Sequence, residues 1–166
     1  MAFQTTITRS PAAAVEGMLA NTERPIVSSK LAKATTAPGR AVRVDTADLN
    51  DQCTVPTAAA QVTGDATTAP CMGVTFWDNT QNTNPYAAND PLPVARKCRL
   101  WVVREDAGDA STPVYIRHTA NGGNTIIGGF AGAAGTGLSL APHGSFRWLS
   151  KTTAVNQLAE LAVDLP

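Results

Sequence analysis

Arg99-Leu100-Trp101-Val102-Val103-Arg104 is an apolar run with charged ends, set where strand signals are densest. Reading downstream from it, the turn-rich stretch Glu105 to Thr112 leads into a second strand candidate, Pro113-Val114-Tyr115-Ile116-Arg117-His118. Asn121-Gly122-Gly123-Asn124 is a hairpin-type turn. Residues 128–137 (GGFAGAAGTG) read as a flexible Gly/Ala connection. Ser145-Phe146-Arg147-Trp148-Leu149 follows. In the closing stretch Leu158 to Leu165, Leu161, Val163 and Leu165 alternate with Glu160, Ala162 and Asp164. Short strands at this spacing predict a mainly β chain, with a small antiparallel β-barrel or sandwich as its body.

Upstream the signals thin out. Gly73-Val74-Thr75-Phe76-Trp77 is a convincing strand, and Ala41-Val42-Arg43-Val44-Asp45 alternates like one after the Pro38-Gly39 turn. Asp78 to Pro85 is a long polar loop. Before that, residues 1–25 read as an extended N-terminal arm. Gln4 to Thr8 is strand-like, with Phe3, Thr5 and Ile7 on one face, but large apolar groups are too few for this stretch to fold alone. Pro25 precedes a short strand candidate at Ile26-Val27. The expected division is an arm over 1–25 and a β-rich domain over 26–166, with an acidic, loop-rich elaboration at about 45–95.

Composition agrees. The chain has 166 residues, 43% of them hydrophobic, 5% aromatic and 16% charged. Alanine supplies 28 of the hydrophobic residues, so the core is lean, and the 21 threonines favour strands and turns over helices. No apolar run approaches the roughly 18 residues of a membrane helix. The opening MAFQTTITRS lacks an apolar stretch of signal-peptide length, so no export signal is expected. Net charge is zero, which argues against sequence-independent nucleic-acid binding. The charge is nonetheless segregated. Residues 1–44 carry six Lys/Arg against two acids, whereas 45–95 carry six Asp and no Lys or Arg.

Catalysis needs a nucleophile, a base and a group to orient them. His143-Gly144-Ser145 invites a hydrolase reading, but no Gly-x-Ser-x-Gly elbow accompanies it, and Pro142-His143-Gly144 reads as a turn. His118 closes a strand. Cys53, Cys71 and Cys98 lack metal-ligand spacing and are expected to be buried free thiols, with Cys53 and Cys71 the pair closest to a possible bridge. The glycines of 128–137 lack a phosphate-loop register. Asp45, Asp48, Asn50 and Asp51 do not match a Ca²⁺ loop. No enzyme activity, metal or cofactor is expected.

Two stretches resemble a known family. The opening Met1-Ala2-Phe3-Gln4-Thr5-Thr6, followed by Pro11-Ala12-Ala13-Ala14-Val15-Glu16-Gly17, is similar to the start of the structural cement (capsid decoration) proteins of tailed bacteriophages. The closing pattern is similar too: Trp101-Val102-Val103, an acidic loop, Pro113-Val114-Tyr115, a Gly-rich connection, Ser145 to Trp148 and the terminal strand. Residues 46–95 depart from that pattern. The resemblance implies a non-enzymatic virion protein, made in the host cytoplasm, that binds the outer capsid surface and clamps neighbouring major capsid protein capsomers, commonly as a homotrimer. It implies no nucleic-acid or membrane partner. It suggests an arm anchored through Phe3, Gln4, Thr5, Ile7, Arg9 and Val15, and contacts between copies through Trp101, Tyr115, Phe146 and Trp148. Rival readings are a head–tail or tail decoration protein, or a small β-barrel hydrolase using His143 and Ser145.

Overall fold

The computed structural model describes residues 14–21, 24–45, 52–63, 71–78, 85–142 and 144–165. Among the described residues ten strands and one short helix follow in order: β1 (Ile26–Ala32), β2 (Ala41–Val44), β3 (Gln52–Thr54), α1 (Ala59–Thr63), β4 (Cys71–Thr75), β5 (Pro91–Arg104), β6 (Tyr115–Arg117), β7 (Phe130–Ala131), β8 (Leu138–Leu140), β9 (Phe146–Trp148) and β10 (Gln157–Asp164). The predicted mainly β body is present as a closed five-stranded barrel with extra strands.

β5 organises both parts. Its 14 residues span roughly 45 Å at the usual strand rise. The first half lies in the barrel, which closes through the pairings β1–β3, β3–β2, β2–β4, β4–β5 and β5–β1. Pro91 and Pro93 sit in this half opposite Leu31 and Ser29 of β1. The barrel interior is filled by Ala32, Val42, Cys53, Tyr86, Leu92 and Val94. Tyr86 brings a polar group inside and satisfies it: its hydroxyl donates to Phe76 O at 2.8 Å and accepts from Asp78 N at 3.1 Å.

The second half of β5 pairs with β10 along its whole length, from Gln157 opposite Arg104 to Asp164 opposite Lys97. β9 adds to the far side of β10. Near its end β5 meets β7, which continues through β6 to β8. Between these sheets lies the larger core: Leu100, Val102, Ala159, Leu161, Val163, Ile116, Phe130, Phe146 and Trp148, with Val62 of α1 against it. Phe130 and Trp148 meet edge to face at 6.5 Å.

Three sequence readings change. The acidic stretch 45–95 supplies β3, β4, the start of β5 and the barrel-filling Tyr86, so it runs through the body. Asp45 is buried and paired with Lys33. Residues 128–137 hold β7 and tight backbone contacts in place of a loose connection. At Gly137 φ is +76°, and an added Cβ would lie 2.2 Å from Thr119 O, so only glycine fits without strain. Residues 17–20 are also seated on the body. Leu19 bridges Leu100, Gly17 N donates to Trp101 O, Trp101 N to Met18 O and Ala20 N to Arg99 O.

Candidate functional site

The sheet β9–β10–β5, extended by residues 17–20, has one face in the core. Residues opposite one another across strands share a face. Cys98, Leu100 and Val102 are buried with Ala159, Leu161 and Val163. Lys97, Arg99, Trp101 and Val103 therefore turn outward with Asp164, Ala162, Glu160 and Leu158. Arg147 of β9 stands opposite Ala162, which stands opposite Arg99.

This row puts a methyl group between two guanidinium stems. The result is a groove of about 420 Å³ lined by Arg24, Lys97, Cys98, Arg99, Arg147, Ala162, Val163 and Asp164. Lys97 and Asp164 pair across its end at 3.2 Å, both well exposed, so the pair contributes little to stability. Towards the other end the face becomes apolar. Trp101 is half-buried there, beside Met18 and near Val15, which are 36% and 45% exposed.

The root of the N-terminal segment is locked onto the body. Both Glu16 carboxylate oxygens accept from the Arg40 guanidinium, Oε2 from Nη2 at 3.1 Å, and both side chains are mostly buried. Gly17 has φ +83°, and an added Cβ would lie 2.4 Å from Pro38 Cβ; Gly39 has φ +75° and packs equally close to Glu16. Each glycine makes room for the other segment. The Val15-Glu16-Gly17 element is thus a lock, a role that its sequence alone did not disclose.

Of the sequence-predicted arm residues, Phe3, Gln4, Thr5, Ile7 and Arg9 lie outside the described residues; Val15 is exposed at the root. The four aromatic candidates separate. Phe146 and Trp148 are buried in the core, whereas Trp101 and Tyr115 are half-buried on outward faces. His143 also lies outside the described residues. Ser145 is held by its backbone, with its amide donating to Pro142 O and its carbonyl accepting from Asp164 N.

The three cysteines are free and buried. Burial pushes the thiols up to about 11 for Cys53 and about 12 for Cys71 and Cys98. Cys53 Sγ lies 3.1 Å from Met72 Sδ. Among the described residues no group of three or more His, Cys, Asp or Glu side chains is placed to hold a metal.

The family model described as structural cement protein (E217 gp24/Pam3 gp6) matches residues 3–164. The chain belongs to the phage structural cement protein family. Cement proteins are structural and not enzymes, so this chain is a capsid-stabilising component of a bacteriophage virion. A chain from the solved capsid of the Myoviridae phage XM1 has the same fold, with a TM-score of 0.65 at 17% identity over 99% of this chain and 98% of that one. No curated protein matches this cement protein. Its match extends through residues 46–95, the stretch that departs from the family pattern at the level of motifs.

Proposed function

We propose that this cement protein sits on the outer surface of the phage head and bridges neighbouring major capsid protein capsomers, with residues 1–25 as the arm that reaches across and 26–166 as the body. The observation that carries this reading is the locked root of the arm. Residues 16–20 are fixed along β5, yet Val15 and Met18 keep their side chains exposed beside Trp101. A chain held so firmly at its root can transmit load from an anchor ahead of it. Phe3, Gln4, Thr5, Ile7 and Arg9 are the residues proposed to make that anchor, by strand addition to a capsid edge. Thirteen extended residues reach roughly 45 Å, enough to cross to a neighbouring capsomer. On the shell the copies form a homotrimer through half-buried aromatics, Trp101 and Tyr115 before the core residues Phe146 and Trp148. The protein is made in the host cytoplasm.

The test is a deletion of residues 2–13, which spares Glu16 and Gly17. The shortened protein should unfold like the full chain but fail to decorate heads prepared without it. Wild-type occupancy by the shortened protein would refute the anchor. A particle map with isolated, non-contacting copies would refute the trimer.

A further inference from the structure

We infer that the groove over Ala162 is a docking slot for an acidic segment of the shell protein, with Arg147 and Arg24 as its recognition groups. The inference rests on the capsid-binding reading and names the chemistry of the partner. The floor is small because Ala162 lies in register between Arg147 and Arg99, on strands whose spacing sets the two arginine backbones roughly 10 Å apart. That width accepts one extended peptide. The walls are cationic: Arg24, Lys97, Arg99 and Arg147 line the groove, and Asp164, the one carboxylate among the described lining residues, already pairs with Lys97. Glu160 stands one step along on the same face. Arg147 and Arg24 are exposed and have no ion pair among the described residues. A planar guanidinium over a shallow floor favours bidentate capture of a carboxylate.

Charge complementarity selects an acidic occupant. The protein's zero net charge and the protein shell it serves select a peptide over a nucleic acid.

The experiment titrates the full-length protein onto heads purified without it, at low and high salt. Arg147→Glu should weaken apparent affinity by roughly tenfold or more at low salt, as expected for loss of a charge-assisted contact and its replacement by repulsion. It should also flatten the salt dependence. Ala162→Trp, which fills the floor and leaves the charge unchanged, should weaken binding comparably. Lys151→Glu, an exposed cation outside the groove, should behave as wild type. Urea unfolding of each variant confirms that the fold is retained. If Arg147→Glu and Ala162→Trp both bind heads like wild type, the slot is refuted while the capsid-binding reading stands. Failure of the wild type to bind heads would overturn both. If the wild type self-associates without heads and Arg147→Glu abolishes only that, the occupant is a second copy, and the assignment to the shell is wrong.

Discussion

Arg104→Met should be among the most damaging single changes in this protein. Arg104 is the last residue of β5, and its side chain is 0% exposed. All five guanidinium N–H groups have acceptors. Nε and Nη2 reach Asp106 at 3.3 and 3.4 Å, Nη1 reaches Gly108 O at 3.1 Å and Asp109 O at 3.0 Å, and Nη2 reaches Thr112 Oγ1 at 3.0 Å. Its charged face lies 4.8 Å from the centre of the Trp148 ring. Space for this arrangement comes from glycine, since a Cβ at Gly132 would lie 1.9 Å from Nη2. Methionine preserves the length and apolar contact but leaves Gly108 O and Asp109 O without donors. Asp106 retains the Gly132 amide at 2.6 Å and is 29% exposed, so water recovers part of its loss. Breaking such a buried network costs about 3–5 kcal/mol. With a urea slope of about 2 kcal/mol/M, the midpoint should fall by about 1.5–2.5 M. Arg104→Lys keeps the charge but has fewer donors and no plane, so it should fall between. A loss under about 1 kcal/mol with an unchanged slope would refute the argument that this network fixes the 105–112 loop, given that typical substitutions cost that much.

Gly17→Ala should destabilise the docked root by about 1–3 kcal/mol through positive φ and the Pro38 contact, read as faster proteolytic loss of the N-terminal segment. Thiol reagents at pH 8 should leave the folded protein unlabelled, because burial holds all three thiols protonated, and should count three thiols per chain after denaturation without reductant. His118 is shifted below its ordinary 6.5, first by burial and then by Arg117. Its unfolded form therefore binds protons more readily, stability declines as pH falls through 6.5, and His118→Gln should flatten that part of the profile in urea midpoints measured from pH 7.5 downward.

Much of the fold was legible where one strand face is apolar and the other is not. The alternation at Leu161, Val163 and Leu165 marks the terminal strand, and the Asn121 to Asn124 turn is present between β6 and β7, where Gly122 has φ +58° and Asn121 and Asn124 exchange backbone bonds. The first half of β5 was not legible. Pro91, Pro93 and Lys97 interrupt the pattern, and only pairing with β1 makes that stretch a strand. β3 and β8 have three residues each, and their strand character comes from their neighbours. The Gly-rich 128–137 stretch looked loose because glycine is permissive in isolation. In the fold, Gly132 and Gly137 are the residues small enough to lie beside Arg104 and Thr119.

The site was less legible than the fold, for a reason that concerns register. Arg147 lies inside a short strand and Arg24 in the basic first segment, and 123 positions separate them. They meet because β10 lies between β9 and β5 with Ala162 in the row joining Arg147 to Arg99. A shift of one residue between β10 and β9 would turn Arg147 into the core towards Phe130 and turn the large apolar side chains of Phe146 and Trp148 out of it. Burial of Phe146 and Trp148 prevents that shift, and the Arg104 contact with Trp148 reinforces it. The buried arginine thus holds the exposed one in place. Decoration by Arg104→Met should consequently fall by more than its stability loss explains, even where the variant remains folded.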